Sequence, residues 1–173
     1  MGKITATAFI TLDNDVEDPH LWSGAYQSED TGEYNTVVLR DADAMLLGRV
    51  TYEGFAAAWP SRSGDYFSDR FNSMPKYVVS NTLETAEWKN TTIIPDVERV
   101  RELREQQNLL IWGSPTLVQS LLDAGLLDEL VLLYSPIVRG EGIRLYREGQ
   151  NHKLRVVDAT QLSGGMLGVR LEA

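Results

Sequence analysis

The chain has 173 residues, of which 43% are hydrophobic and 24% charged, and its formal net charge is -9. This length and composition predict a single domain over residues 1–173, which buries roughly 70% of its unfolded surface. The negative charge argues against binding to nucleic acid or to an anionic membrane, because Lys and Arg supply most of that affinity. With no cysteine and only two distant histidines, we predict no disulfide, no thiolate nucleophile and no metal site.

The first predicted element is a strand over residues 4–12, an apolar run that contains three threonines and is closed by Asp13. The run is too short and too polar for a signal or membrane-spanning segment, so we expect a cytoplasmic protein. A long polar loop, residues 13–30, follows and contains Trp22 and Tyr26. Loops of this length are often lids or binding loops, and a surface loop without a role is the alternative.

The next predicted strand covers residues 44–47 and leads directly into a helix at Gly48. Arg49 and Thr51 lie in the first turn of that helix, where a cation and a hydroxyl can meet a phosphate. Arginine is unfavourable near the positive end of the helix dipole unless an anion is present; an ordinary solvated arginine is the alternative. The helix also has an apolar face that we expect to pack on the sheet: Tyr52, Phe55, Ala56 and Trp59.

Further strands are predicted over residues 77–80, 91–94 and 109–112. The last of them ends at Gly113, and a helix starts at once, with Ser114 as a suitable N-cap and Pro115 at the first helical position. The free amides of such a helix start suit a phosphate. An ordinary connection between a strand and a helix would have the same pattern.

The C-terminal part of the chain follows a different pattern. A strand over residues 130–134 precedes a second long loop, residues 137–148. Two further strands, 154–160 and 166–171, are separated by a Ser-Gly-Gly turn that is typical of a hairpin. The earlier strands are continuous apolar runs, as in parallel sheets covered by helices. We therefore predict an α/β fold with a mostly parallel central sheet, flanking helices and an antiparallel C-terminal edge.

Three motifs in this order resemble the dihydrofolate reductase-like superfamily, and within it the RibD C-terminal-domain reductases. They are Leu47-Gly48-Arg49-Val50-Thr51-Tyr52-Glu53, Lys76-Tyr77-Val78-Val79-Ser80-Asn81-Thr82-Leu83, and Ile111-Trp112-Gly113-Ser114 with its leucine-rich helix. The resemblance covers nearly the whole chain. It implies a dihydrofolate reductase-like fold, NADPH as cofactor and a small substrate with a pyrimidine- or pterin-like ring.

The resemblance also implies roles for particular residues. Gly48, Arg49 and Thr51 would face the adenosine phosphates of NADPH, with Ser80 and Asn81 on the side of the 2′-phosphate. The pyrophosphate would be bound by Gly113, Ser114, Thr116 and Leu117. NADPH is favoured over NADH because Arg49 and several hydroxyls are available for the third phosphate.

Candidate substrate groups follow from the same resemblance. Asp13 is the first candidate for a group that orients the substrate or acts as an acid, with water or Tyr26 behind it, and a turn or helix-cap residue is the alternative for Asp13. Trp22 could cover the nicotinamide ring, and a buried structural role is the alternative. Arg139 and Arg144, in the second long loop, are the candidate cations for a substrate phosphate, and a surface role is the alternative for each.

The sequence departs from the family pattern at two positions, and two other functions are alternatives to the reductase. Authentic dihydrofolate reductases carry a carboxylate on the helix before the Gly-Arg turn, whereas counting back from Gly48 leads here to Gly32. In the first strand, Asn14 follows Asp13 where this branch commonly has glycine. A non-catalytic protein that keeps the fold and the dinucleotide is therefore the second hypothesis. A flavodoxin-like FMN protein is the third.

Two expectations concern assembly and backbone geometry. We expect a homodimer, because the C-terminal hairpin offers an apolar strand edge that a partner could cover. The bond between Trp112 and Gly113 aligns with a cis glycine-glycine bond of dihydrofolate reductases. It is either cis here or trans with a positive φ at Gly113.

Overall fold

The computed structural model describes all residues from Met1 to Ala173. No helix in it is long and apolar enough to cross a membrane. Two short 3-10 turns lie in the first long loop, at Pro19–Leu21 and Gly24–Tyr26. The five α-helices are α1 (Glu29–Arg40), α2 (Arg49–Ala58), α3 (Tyr66–Ser73), α4 (Val97–Arg104) and α5 (Pro115–Asp123). The eight strands are β1 (Ile4–Thr11), β2 (Ala44–Gly48), β3 (Lys76–Val79), β4 (Thr91–Ile94), β5 (Leu109–Trp112), β6 (Glu129–Ser135), β7 (Arg155–Gln161) and β8 (Leu167–Glu172).

All eight strands form one sheet in the order β4-β3-β2-β5-β1-β6-β8-β7. The six strands from β4 to β6 run parallel, whereas β8 pairs antiparallel with both β6 and β7. The predicted α/β fold with an antiparallel C-terminal edge is therefore confirmed. The predicted strand limits differ from the observed ones by at most one residue.

The sheet is covered by helices on both faces, and β1 shows how the sequence specifies this. Its even-numbered apolar residues, such as Ile4 and Ile10, pack in one core cluster with α4 and α5. Side chains alternate along a strand, so Thr7 and Phe9 face the other side. That side carries the second cluster, which includes residues of α1, α2 and α3. The expected apolar face of α2 lies there, with Tyr52 buried and its companions partly buried.

The parallel strands bring the two strand-to-helix turns and the two long loops to one edge of the sheet. Strands β2, β5, β1 and β6 are neighbours and run in the same direction. Their carboxyl ends therefore meet at one edge of the sheet, where ligands of open α/β sheets bind. The two predicted strand-to-helix turns, at Gly48 and Gly113, and the two long loops all start at this edge.

Candidate functional site

The two strand-to-helix turns are hydrogen-bonded directly to each other. The Gly48 N–H donates to Ser114 Oγ at 3.0 Å, and the Ser114 N–H donates to Thr51 Oγ1 at 3.2 Å. Because β2 and β5 pair in the sheet, these bonds connect the starts of α2 and α5 across one strand spacing. We call this pair of bonds the turn clasp. It places two helix N-termini side by side, an arrangement that favours an anionic ligand.

The turn after β5 decides between two predicted backbone geometries and differs from the prediction in the role of the Ser114 side chain. All peptide bonds are trans, so the cis alternative for Trp112–Gly113 is wrong and the alternative with positive φ is confirmed, at +73° for Gly113. Ser114 occupies the N-cap position with φ 52° and ψ 57°, yet its side chain makes no cap bond. Its hydroxyl is used by the turn clasp instead.

The backbone amides of this turn are also engaged. The Gly113 N–H donates to the Thr7 carbonyl at 3.0 Å, and the Ser114 N–H belongs to the turn clasp. Both amides therefore already have acceptors within the protein. The amides of Thr116 and Leu117 follow in the first turn of α5, where N–H groups have no intrahelical acceptor. They are the better candidates for phosphate oxygens.

Arg49 lies at the start of α2, and its guanidinium contacts only a side chain of the same helix. Nη1 lies 3.1 and 3.4 Å from the two carboxylate oxygens of Glu53, one helical turn further on. The Arg49 side chain is 46% exposed, and exposed pairs of this kind contribute little to stability. A phosphate at the helix start could therefore compete with Glu53 for this guanidinium.

Ser80 and Asn81 follow β3, the neighbour of β2, at the same edge of the sheet. The Ser80 hydroxyl accepts hydrogen bonds from the N–H groups of Thr82 at 3.2 Å and Leu83 at 3.0 Å. Ser80 thus shapes the turn through its side chain, and Asn81 is exposed. Both follow β3, which lies on the side of β2 opposite to β5.

The two long loops are bound to each other rather than separate. The Val16 N–H donates to the Ile143 carbonyl, and the Leu145 N–H donates to the Asn14 carbonyl, both at 2.9 Å. The buried Asp15 carboxylate forms an ion pair with Arg139. We call this set of contacts the loop tie. It joins the start of the first loop to much of the second loop.

Asp13 belongs to the loop tie. Its carboxylate accepts hydrogen bonds from Thr11 Oγ1 at 2.6 Å and from the Gly140 and Arg139 amides at 2.7 and 3.2 Å. These bonds, the one from Thr11 first, lower the pKa of Asp13 to about 2. A carboxylate that is ionised at neutral pH is a poor proton donor. The geometry therefore favours the turn interpretation of Asp13 over the acid.

The other substrate candidates are also occupied by contacts within the protein. Arg139 pairs with Asp15 and Glu141, and Arg144 Nη1 donates to the Asp13 carbonyl at 2.6 Å. Trp22 donates its indole N–H to the Glu17 carbonyl at 2.9 Å within its own loop. Tyr26 packs against a small cluster under the C-terminal hairpin, made of Leu133, Leu162 and Met166.

Next to Gly32, the position on α1 that is counted back from Gly48, lies the inward-facing Thr31. Thr31 is buried, and its hydroxyl lies 3.0 Å from Ser28 Oγ. The neighbouring Asp30 carboxylate accepts hydrogen bonds from the N–H of Ser163, at 2.7 Å, and from its hydroxyl, at 2.9 Å. It therefore holds the hairpin turn and does not face a substrate.

Sequence reasoning missed an aromatic group beside the turn clasp. Trp112, the last residue of β5, is partly buried, and its ring centroid lies 6.1 Å from Phe67 and 5.4 Å from Phe71 of α3, both edge-on. Thr7 is the register partner of Trp112 on β1. The apolar spacing of α3 indicated that this helix packs on the sheet, but the sequence did not indicate that it packs next to β5.

The family is decided by a match over most of the chain. The family model for the RibD C-terminal domain matches residues 2–167. The chain belongs to the RibD C-terminal domain family. It is thus a member of a family of reductases that typically use NADPH. The third hypothesis, a flavodoxin-like protein, is wrong, because that fold has the strand order 2-1-3-4-5 and this sheet does not.

Relatives of this RibD C-terminal domain protein include two from Bacillus subtilis (strain 168). Uncharacterized protein YwjB is 26% identical over 145 residues, which are 81% of this chain and 79% of that protein. Uncharacterized protein YyaP is 26% identical over 142 residues, which are 78% of this chain and 76% of that protein. Neither name indicates a substrate.

Solved structures share the fold at low sequence identity. A protein from Shewanella sp. PV-4, whose name refers to riboflavin biosynthesis, has a TM-score of 0.79 at 19% identity, with 98% of each chain covered. A pyrimidine reductase-like protein from Corynebacterium diphtheriae has a TM-score of 0.70 at 12% identity, covering 99% of this chain and 91% of that one. Acinetobacter baumannii RibD has a TM-score of 0.67 at 15% identity, and the match covers 99% of this chain but 58% of that one.

We expect Gly142→Ala to break the loop tie. A Cβ atom at Gly142 would lie 2.1 Å from Asp15 Oδ1, whereas a Cβ atom at Gly140 would meet nothing within 4 Å. Both glycines have positive φ, 88° and 70°, so Gly140→Ala is the matched control for backbone strain. Thermal unfolding should show a clearly larger loss for Gly142→Ala. Equal losses would mean that the contact with Asp15 contributes nothing.

The low pKa of Asp13 predicts an acid-dependent contribution to stability. Its folded pKa of about 2 lies below the ordinary aspartate value of 3.8, so the contribution is complete above pH 3.8 and is lost as the pH falls towards 2. Between these pH values, the free energy of unfolding of wild type should fall more steeply than that of Asp13→Asn. Parallel curves from urea unfolding at each pH would contradict this prediction.

Proposed function

We propose that this protein is an NADPH-dependent reductase of a small, flat substrate. The observation that carries the proposal is the turn clasp, which joins Gly48 and Thr51 to Ser114 and so holds two helix N-termini in one crevice. The crevice lies at the carboxyl ends of parallel strands, the usual dinucleotide position in open α/β sheets. Membership of the RibD C-terminal domain family supports the same cofactor.

The residues at the crevice suit the groups of NADPH. The Thr116 and Leu117 amides would bind pyrophosphate oxygens, and Arg49 would exchange Glu53 for a phosphate. Ser80 and Asn81 would stand on the side of the 2′-phosphate. When bound, NADPH supplies the hydride, and the protein supplies binding and orientation. Trp112 ends β5 beside the clasp and would form an apolar wall near the reacting ring.

A second candidate function is dinucleotide binding without reduction. The observation in its favour is that none of the positions considered for a catalytic acid presents a carboxyl group that is free to donate a proton. Asp13 is ionised within the loop tie, Thr31 occupies the inward position on α1, and Asp30 holds the hairpin. An assay of NADPH oxidation with a panel of pyrimidines and pterins distinguishes the two functions. The reaction is followed by the absorbance of the reduced cofactor at about 340 nm. Turnover of any compound above the background rate supports the reductase, whereas binding without turnover supports the second candidate.

Arg49→Ala should remove most of the preference for NADPH over NADH. A hydrogen bond between charged groups contributes about 1.5 to 3 kcal/mol, so NADPH affinity should fall by at least tenfold while NADH affinity stays constant. Calorimetric titration measures both. Arg99→Ala is the control, because Arg99 is also an exposed helix arginine paired with a glutamate on its own helix. Equal affinity of wild type for the two cofactors would contradict the assignment of Arg49.

We also propose a homodimer that pairs through the C-terminal edge of the sheet. Strand β7 is the outermost strand and is exposed along its length, with Val156 and Val157 59% and 45% exposed. An apolar edge strand of this length readily pairs with a second chain.

The dimer should therefore respond to charges on β7. Light scattering at micromolar concentration should give about twice the 19.4 kDa of one chain. Replacement of both Val156 and Val157 by Lys should give the monomer, since edge lysines oppose strand pairing. Val138→Lys, at an exposed loop valine, should stay dimeric. A monomeric wild type would refute the proposal.

A further inference from the structure

The connection between β3 and β4 contains no helix. These strands are parallel neighbours, so residues 80–90, which we call the return segment, lead from the carboxyl edge of the sheet back to the opposite edge. Parallel strands are usually joined through a helix, whose backbone bonds are internal. Residues 81–87 instead take part in no backbone–backbone hydrogen bond. The position of the return segment therefore depends on side chains.

Trp88 fixes the far end of the return segment. It is only 4% exposed, and its indole N–H donates to Asn72 Oδ1 of α3 at 2.8 Å. Its backbone N–H donates to Tyr52 OH at 3.2 Å. Tyr52 lies in the first turn of α2, directly after Thr51 of the turn clasp. The far end of the segment is thus bonded to the same helix turn that borders the crevice.

A buried lysine holds Trp88 and its neighbour in place. Lys76 Nζ donates to the carbonyls of Lys89 at 2.9 Å, Met74 at 2.8 Å and Asn72 at 3.5 Å. It also lies 4.4 Å from the centroid of the Trp88 ring, within the range of a cation–π contact. Two of the carbonyls belong to the end of α3 and the third to the return segment. One ammonium group therefore joins the helix to the segment.

Lys76 occupies a core position of its strand. It points to the same face of β3 as Val78 of the second core cluster, and both are 0% exposed. Burial lowers the pKa of Lys76 to about 8, so the amine is mainly protonated at pH 7. A buried charge costs free energy that apolar packing would not. An apolar side chain would fill this position equally well but would leave the three carbonyls without their donor.

We propose that Lys76 is a positioning residue for the 2′-phosphate side of the cofactor site. It holds the far end of the return segment, so that Ser80 and Asn81 at the start of the segment keep a single arrangement. Lys76 lies at the other end of β3 and acts only through the segment. The proposal rests on the proposed reductase function, because the 2′-phosphate is the group that distinguishes NADPH from NADH.

The physical basis of this role is preorganisation. A segment without internal backbone bonds samples many arrangements once one of its ends is released. Binding of a phosphate must then order the segment, and the ordering cost lowers the affinity. NADH has no phosphate at this position, so its affinity does not include that cost. Loss of the Lys76 contacts should therefore change the preference between the two cofactors as well as the stability.

Lys76→Met tests the proposal by calorimetric titration at pH 7. The variant should bind NADPH about fivefold more weakly, while its affinity for NADH stays within about twofold of wild type. A purely structural role would lower the unfolding temperature without changing the ratio of the two affinities. Equal losses for the two cofactors, or an unchanged ratio in the folded variant, would overturn the proposal. Absence of NADPH binding by wild type would instead refute the reductase function, and this proposal with it.

Amide hydrogen exchange of the cofactor-free protein provides a second measurement. In Lys76→Met, the amides of the return segment, including that of Trp88, should exchange faster than in wild type. The Gly48 and Ser114 amides of the turn clasp should keep their wild-type rates. Unchanged exchange throughout the return segment would contradict the role of Lys76 in holding it.

Two further variants control for stability and for folding. Arg70→Met is the matched control, because Arg70 is also a cation of α3 that donates to a backbone carbonyl, that of Ala42 outside the return segment. It should lower the unfolding temperature but leave the exchange of the segment and the cofactor preference unchanged. Tyr52→Phe removes only the acceptor of the Trp88 N–H and replaces Lys76→Met if that variant does not fold. It should shift the exchange and the preference in the same direction, and wild-type values for both would overturn the proposal.

Discussion

The hydrogen bonds of Ser114 determine how the candidate site is built. Its hydroxyl accepts from the Gly48 amide, and its own amide donates to the Thr51 hydroxyl. Ser114 can do this because it adopts a left-handed conformation immediately after Gly113, which also has positive φ. Without these bonds, the starts of α2 and α5 would be joined only through β2 and β5. One serine in a left-handed conformation thus fixes the starts of two helices relative to each other.

The loop tie holds the two long loops together at the same edge of the sheet. Asp15 is buried, and its charge is compatible with the fold because Arg139 pairs with it. Asp13 and Arg144 add bonds to the backbone of the opposite loop. The charged residues that look catalytic in the sequence therefore serve mainly to hold two loops together.

The sequence predicted the strands and their direction well, because apolar runs and glycine turns are local signals. Its motifs include Gly48, Thr51 and Ser114, which form the turn clasp, although the sequence assigned the Ser114 hydroxyl to a helix cap. Asp13, Arg139 and Arg144 could not be interpreted from sequence, since their partners lie more than 120 residues away along the chain. Trp112 and Thr7 were missed for the same reason. Their pairing depends on the register of β5 against β1.

The most direct test of this account is a double-mutant cycle on the turn clasp, with NADPH affinity as the measurement. Thr51→Val and Ser114→Ala each remove one of its two bonds, and the double variant removes both. If the clasp acts as one unit, each single variant should bind NADPH roughly tenfold more weakly, and the double variant should lose little more. Wild-type affinity in the folded single variants, or losses that simply add, would contradict the claim that the clasp builds the dinucleotide site.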